Sequence, residues 1–545
     1  MKKILLLSAA LLIAFIPTSC TRDALDTQST EQIDIQSALT TTDGAMMALN
    51  GTIRLMFQFG WSVGFNEHSA LGPMGYGLMA DVMGDDMIMA NQGNGWFWYE
   101  HLYQVKRYYN SDGQAPYNCW RFYYMIIAQV NSILAYKDIM EGAKADVDYI
   151  VGNAYALRAY CYYYLELFFA RSYQGHEDML GVPVYTEMTF AGTAGNPRAT
   201  NRQVFGRMMA DIDSAIARLN GVDQRHVSHI STYVAQGLKA RFALYMGDYQ
   251  TAYDAAVAAA AGGTVMDDVT YGYNNAFTDE VLWGIEIIAS QGTTNPQFMA
   301  NMDTDFDSYG KMAPKCATQS LYNHMGGRDA RRAWWTWQAD MYGREGYIQK
   351  KFQFANKQVE ADGTVTVTDT YTGADQIWMR VPEMILIQAE CLARLGRESE
   401  AQTVLNDFMS HRDPEFDCSS LTGLDLATLT SETTGSLLEE IIWQRRIELW
   451  GEYGRIFDIK RLRQGFTRTT AEGFLESALL LSLDTSNPES FDWVYTIPQD
   501  EINYNPWIVQ NPVESAPSGD MGDDPSLTPD GAPEYNEIGE IISAE

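Results

Sequence analysis

The sequence predicts a mainly α-helical protein in which helical hairpins stack into a superhelix, with long irregular loops and a few short strands between them. Three observations predict it. Apolar residues recur at three- and four-residue steps in several segments, two helix–turn–helix units carry small residues near the bend, and two long stretches are rich instead in Gly, Asn, Asp, Met and aromatics. Composition sets outer bounds on function. The 545 residues include 70 acids against 38 Lys and Arg, a formal charge of -32. That balance argues against nucleic acid as a partner, because such binding rests on Lys and Arg contacts to phosphate, and less strongly against polyanionic glycans.

The chain begins MKKILLLSAALLIAFIPTSC, with Lys2 and Lys3 before an apolar run from Ile4 to Ile16, then Pro17, Thr18 and Ser19 ahead of Cys20. This run is shorter than the roughly 20 apolar residues of a membrane-spanning helix and fits the apolar region of a secretory signal. Residues 1–19 are expected to be a signal peptide. Cys20, after small residues, is expected to be the acylated first residue of a bacterial lipoprotein, with cleavage without lipid as the alternative. Processing removes two lysines and no acid, taking the charge from -32 to -34. Cys119, Cys161, Cys316, Cys391 and Cys418 are odd in number and lack ligand spacing, so neither a disulfide framework nor a zinc site is expected. Cys161 and Cys391 fall in helical apolar patterns and read as small core residues.

The first strongly periodic segment is YNCWRFYYMIIAQVNSILAY, with Trp120, Tyr123, Ile127, Val130 and Leu134 on one stripe. NAYALRAYCYYYLELFF follows, with Ala154, Leu157, Cys161, Tyr164, Leu165 and Phe168. Both are too aromatic to be solvated helices. Thr200 is placed to cap the helix carrying Val204, Met208, Ile212, Ile216 and Leu219. Next comes STYVAQGLKARFALYMGDYQTAYDAAVAAAA, whose Ala235, Gly237, Ala240 and Ala243 allow close helix approach and whose two helices turn at Gly247 and Asp248. A second such unit spans Met379 to Arg412 and turns at Leu395 to Arg397. These hairpins resemble tetratricopeptide units, which cannot hide their apolar faces alone and so stack.

Residues 51–116 and 263–377 show no sustained helical period and are expected to be loops carrying function on a helical frame. Within them GTVTVTDTYTG, Gly363 to Gly373, alternates Thr and Val and reads as a hairpin or edge strand. The last 33 residues, Val513 to Glu545, hold nine acids and no base, and read as an acidic disordered tail. The expected organisation is therefore a signal peptide (1–19), an N-terminal half with helical repeats (20–262), a C-terminal half intertwined with it (263–512) and the tail (513–545).

The C-terminal stretch YTIPQDEINYNPWIVQNP places Ile497, Pro498, Glu501, Ile502, Asn505, Pro506, Gln510, Asn511 and Pro512 in a closing pattern. RRIELWGEYGRIFDIKR carries Arg445, Glu448, Leu449, Glu452, Arg455, Asp458 and Arg461. Trp120 and Asn131, the trio Leu157, Arg158 and Ala159, the stretch Gly181 to Val184, Pro197, and Asp329 with Arg331 complete an ordered set. On these residues the chain resembles the SusD/RagB family, lipid-anchored nutrient-binding proteins of the outer membrane, over roughly residues 20–512. It departs from the family pattern at Gln444, where an acid is usual, and at Tyr453, where glycine is usual. Read from the residues alone, the charged helix is a ladder of ion pairs and the Asn-Pro steps are turns, both structural. The resemblance implies a cell-surface lipoprotein that captures an oligosaccharide or polysaccharide and passes it to a TonB-dependent, SusC-like transporter. A peptide-binding member of the same family, and a repeat scaffold without small-molecule cargo, are the alternatives.

Two tryptophan-rich segments are the candidate ligand site. GNGWFWYEH offers Asn94, Trp96, Trp98 and Tyr99 in a loop, and RRAWWTWQADMYG offers Trp334, Trp335 and Trp337. Flat aromatic rings stack on the C–H faces of sugars at little entropic cost, and a few polar groups then fix orientation. Rings packed beneath the loops are the other reading. Asp81, Asp85 and Asp86 are spaced either to hold a cation with loop oxygens or to line a solvated loop. No metal, cofactor or catalytic motif stands out. Adjacent acids such as Asp85 and Asp86, or Glu439 and Glu440, are inevitable among seventy, so a binding protein rather than an enzyme is expected.

Overall fold

Helices form where the apolar stripes predict them, and each needs the next to cover its face. The computed structural model describes residues 30–58, 68–103, 114–190, 192–288, 290–291, 296–341, 344–361, 365–368, 374–512 and 522–542; the expected signal peptide and Cys20 lie outside the described residues. Helices of eight or more residues are α1 (Thr30–Leu39), α2 (Thr42–Leu55), α3 (Pro73–Met83), α4 (Gln114–Leu134), α5 (Lys144–Phe169), α6 (Asn201–Leu219), α7 (Thr232–Met246), α8 (Tyr249–Ala260), α9 (Val381–Arg394), α10 (Glu398–Ser410), α11 (Leu437–Glu448) and α12 (Arg455–Leu462). From α5 to α10 each packs on its predecessor, and α9 also packs on α11. The stacked hairpins therefore make a continuous tetratricopeptide-like superhelix. No helix among the described residues is long and apolar enough to cross a membrane.

Local signals act as expected. Thr200 accepts from the Gln203 amide while the Gln203 side chain returns to the Thr200 N–H, a reciprocal cap on α6. The α7–α8 bend uses Gly247 at φ +83° and Asp248 as the cap of α8, its carboxylate accepting from the Thr251 amide. Gly396, at φ +76°, turns α9 into α10. The Thr-Val alternation forms Val365–Val367, paired antiparallel with Lys357–Val359; residues 363–364 and 369–373 of that stretch lie outside the described residues.

Two expectations are corrected. Residues 51–116 contain α3, all eleven residues of which are buried. A helix covered on every side carries no apolar stripe, so its period was invisible. The acidic C-terminus is also not a free tail over residues 522–542. Asp523 pairs with Arg171 at 2.8 Å, its carbonyl oxygen accepts from the Leu180 amide at 2.6 Å, and Glu540 pairs with Arg207 at 3.1 Å. Tyr535 is buried, its hydroxyl donating to the Pro197 carbonyl at 2.8 Å and accepting from the Val184 amide at 3.1 Å. A polar segment is held here by one aromatic anchor and specific ion pairs rather than by apolar area.

The two long segments together supply an antiparallel sheet, β1 (Met87–Met89) from the first and β2 (Lys315–Ala317), β3 (Trp335–Gln338) and β4 (Gly346–Gln349) from the second, ordered β1-β2-β4-β3. Lys315 faces Met89 across one pair, and Tyr347 lies between Ala317 and Trp337 in the other register row. Behind the sheet, α11 and α12 carry buried ion pairs. Glu448 meets Arg412 at 3.0 Å, Arg380 at 3.2 Å and Arg331 at 3.4 Å; Asp458 joins Arg445 at 2.7 Å and Arg461 at 3.0 Å. Such pairs specify an arrangement more than they stabilise it, because desolvating the charges offsets most of the attraction. Gln444 accepts from Arg331 and donates to Glu440 at 2.7 Å, filling the acid's place within the network. Tyr453 is buried against the guanidiniums of Arg445 and Arg241, at 4.8 and 5.6 Å.

Candidate functional site

Four consecutive aromatics cannot share one side of any regular element, and the backbone divides them. Gly95, at φ +91°, and Phe97, at φ +65°, put two left-handed residues around Trp96, a conformation that costs an L-residue about 1–2 kcal/mol. The short helix Trp98–His101 then starts with the Trp98 amide donating to the Gly95 carbonyl at 3.1 Å. The result is out, in, in, out. Trp96 is half-buried, Phe97 buried, Trp98 only 8% exposed and Tyr99 53% exposed, with Asn94 exposed beside them.

Trp96 stands on a backing of two other rings. His68 stacks on it with centroids 5.1 Å apart and planes 18° from parallel, and Tyr309 meets it edge-on at 6.4 Å and 64°. His68 Nδ1 and the Tyr309 hydroxyl are hydrogen-bonded, which ties the two supports together. Burial lowers the His68 pKa, so the imidazole is neutral near pH 7 and offers a ring rather than a charge. Tyr309 is delivered by the segment before β2, which is stitched to the Trp96 loop by the Ala90 amide on the Pro314 carbonyl at 2.9 Å and by Asn91 Nδ2 on the Met312 carbonyl at 3.2 Å. The arrangement is a shelf: an indole held flat on an imidazole, with exposed Asn94 and Tyr99 two and three residues away along the chain.

The second segment divides differently. Ala330–Trp334 is a 3-10 turn that leads directly into β3. Trp334 is 1% exposed, its indole donating to the Val269 carbonyl at 2.6 Å with the Lys351 ammonium 4.4 Å from the ring. Trp335 is 3% exposed and packs edge-on against Trp450 at 5.7 Å. Trp337 is 42% exposed and meets Tyr347 edge-on at 4.9 Å; Tyr347 stacks on Tyr322 at 3.6 Å, and the Arg332 guanidinium lies 4.2 Å over Tyr322. Trp98, Trp334 and Trp335 are thus corrected to core positions, because interior rings and carbonyls claim their faces and, for Trp334, its N–H. The sheet register sets the clusters apart. Trp96 and Tyr309 lie beyond the Met89 and Lys315 end, whereas Trp337 and Tyr347 lie in the row of Met87 and Ala317.

The aspartates do not form a solvated loop. Asp86 pairs with Arg446 at 2.6 Å and Arg455 at 2.9 Å, and Asp85 with Arg455 at 2.8 Å. Asp81 accepts from the Arg455 amide at 2.8 Å, and burial pushes its carboxyl up to about 8. Arginines occupy the positions a cation would take, and no group of three or more His, Cys, Asp or Glu side chains is placed to share an ion among the described residues. Glu439 accepts from the Thr434 and Gly435 amides, and Glu440 pairs with His324 at 3.0 Å. His68, Tyr309, Tyr322 and Tyr347 escaped sequence reasoning: each stands far along the chain from the tryptophan it meets or supports, and only tertiary contact brings it there.

Residues 63–244 match the protein family described as starch-binding, associating with the outer membrane, and residues 286–513 match the SusD family. A SusD-like protein of Formosa agariphila is 23% identical over 388 residues, spanning 64% of this chain and 73% of its own. Among solved structures, a SusD-like carbohydrate binding protein from Bacteroides vulgatus superposes with a TM-score of 0.69 at 21% identity, over 86% of this chain and 97% of that one. Surface glycan-binding protein A from Bacteroides thetaiotaomicron, in complex with laminarihexaose, gives 0.62 at 16% identity, over 85% and 97%.

Proposed function

We propose that this chain, which belongs to the SusD family, is a cell-surface lipoprotein that binds a glycan on the Trp96 shelf and hands it to a TonB-dependent outer-membrane transporter. The observation that carries the reading is the half-open indole of Trp96, held parallel to a neutral His68 and braced by Tyr309. A pyranose ring has C–H faces that match such a surface, and stacking adds apolar contact while Asn94 and Tyr99 supply hydrogen bonds to hydroxyls. The glycan-binding wording of a family description and of two structural neighbours supports the same class of ligand. Binding leaves the sugar unchanged in this reading, because the adjacent acid pairs Asp85–Asp86 and Glu439–Glu440 are committed to arginine, histidine and backbone partners. A neutral glycan is favoured over a polyanionic one, since a net charge of -32 repels polyanions. Acylation of Cys20 would hold the protein at the membrane.

Retention on immobilised starch and laminarin tests the shelf. Trp96→Ala should abolish or sharply reduce retention while thermal unfolding stays close to that of the parent protein. Unchanged retention removes the assignment, and retention only on peptide matrices transfers the protein to the peptide-binding reading. Cys20→Ala should move the protein from the membrane fraction to the soluble one.

A further inference from the structure

Away from the shelf, a cavity of about 520 Å³ opens between α4, residues 185–190 and 193–195, and the closing segment 498–505. Its size falls in the range of small-ligand pockets, about 300–1,000 Å³. Tyr117, Tyr124, Phe190 and Tyr504 contribute rings to its wall; Tyr504 is 83% exposed and Phe190 is exposed as well. The polar groups are of both signs. Arg121 donates to the Tyr117 hydroxyl at 3.3 Å and has no carboxylate partner among the described residues, and Asp500 has no hydrogen-bond or ion-pair partner among them. Glu501 accepts from Asn505 Nδ2 at 2.8 Å and from the Trp120 indole, and burial raises its pKa.

We infer that this cleft is a second binding site for a neutral saccharide, separate from the Trp96 shelf. Rings and polar groups of both signs together select the class. An apolar side chain would leave Arg121 and Asp500 unpaired on its surface, a cost that hydroxyls remove. A cationic ligand, which the aromatic walls and Asp500 would attract, is opposed by the Arg121 guanidinium. An anion meets Asp500. A sugar satisfies all three groups, donating to Asp500 and Glu501, accepting from Arg121 and laying its C–H face on a ring. Glu501, Asn505 and Trp120 belong to motifs that read from sequence as purely structural, and here they build one side of a cavity.

Isothermal titration with maltohexaose and with laminarihexaose, each on the full chain, tests the inference. The parent protein should take two equivalents of at least one sugar. Phe190→Ala/Tyr504→Ala, both at exposed positions, should weaken one equivalent about tenfold or more and leave the other intact. Arg121→Ala should act on the same equivalent, and Trp96→Ala only on the other. A single equivalent lost entirely in Trp96→Ala overturns the cleft and leaves the shelf. A single equivalent lost only in Phe190→Ala/Tyr504→Ala overturns the shelf and keeps the cleft. Absence of binding of both sugars by the parent protein overturns both, and a cleft that takes a peptide and neither sugar overturns the saccharide assignment.

Discussion

The segments around Trp96 and Trp334 look alike in composition and end up opposite in use. In the first, two left-handed residues swing Trp96 outward onto His68 and leave Phe97 and Trp98 inside. In the second, a 3-10 turn running into a strand sends both adjacent tryptophans inward and leaves only Trp337 at the surface. The surviving surface rings differ too: Trp96 lies flat on its support, whereas Trp337 meets Tyr347 edge-on. Tryptophan content therefore marks a region, while backbone conformation and interior partners decide which ring remains available.

The contrast can be broken at several points. Trp334→Ala should cost about 3–5 kcal/mol of folding stability, read by denaturant unfolding, because it empties a packed site and strands the Val269 carbonyl. A small change in stability would place Trp334 outside the core. Acid should act next, and mainly on the second region, which rests on the network of Arg331 and Glu448. Buried arginines hold the carboxyl of Glu448 well below the usual range, and those of Glu390 and Asp458 down to about 2. Groups depressed in the folded state stabilise it above their unfolded pKa, near 4.5 for glutamate and 3.8 for aspartate. That contribution is lost as pH falls toward 2. Unfolding monitored from pH 6 to 2 should show stability falling below about pH 4.5; a flat profile would mean the pairs are not formed. Trp96→Ala should weaken glycan binding about tenfold or more with little change in unfolding. Tyr99→Ala should reduce affinity a few-fold, and Trp337→Ala least, about twofold or less, as suits an edge-on ring. Reversal of that order by titration would move the site to β3.

Much of the frame was legible because packing there is periodic. The stripes of α4 to α10, the Thr200 cap and the Gly247 and Gly396 turns all follow from short-range rules. The buried α3 was not, since burial on every side erases the stripe. Nor was the docking of residues 522–542, where Tyr535, Asp523 and Glu540 find partners more than 300 residues away. The site was legible only in part. Trp96, Tyr99 and Asn94 stand in the aromatic loop of residues 93–101, but the fates of Trp98, Trp334 and Trp335 depend on contacts that the segments themselves do not contain. His68 and Tyr309 joined Trp96 from 28 residues before it and 213 after it.

The most direct test is the crystal structure of this protein grown with laminarihexaose or maltohexaose. One sugar ring should lie parallel to the Trp96 indole, on the face away from His68, with hydroxyls within hydrogen-bond reach of Asn94 or Tyr99. Sugar bound elsewhere with that indole face uncovered, or a Trp96 ring turned into the interior, would contradict it.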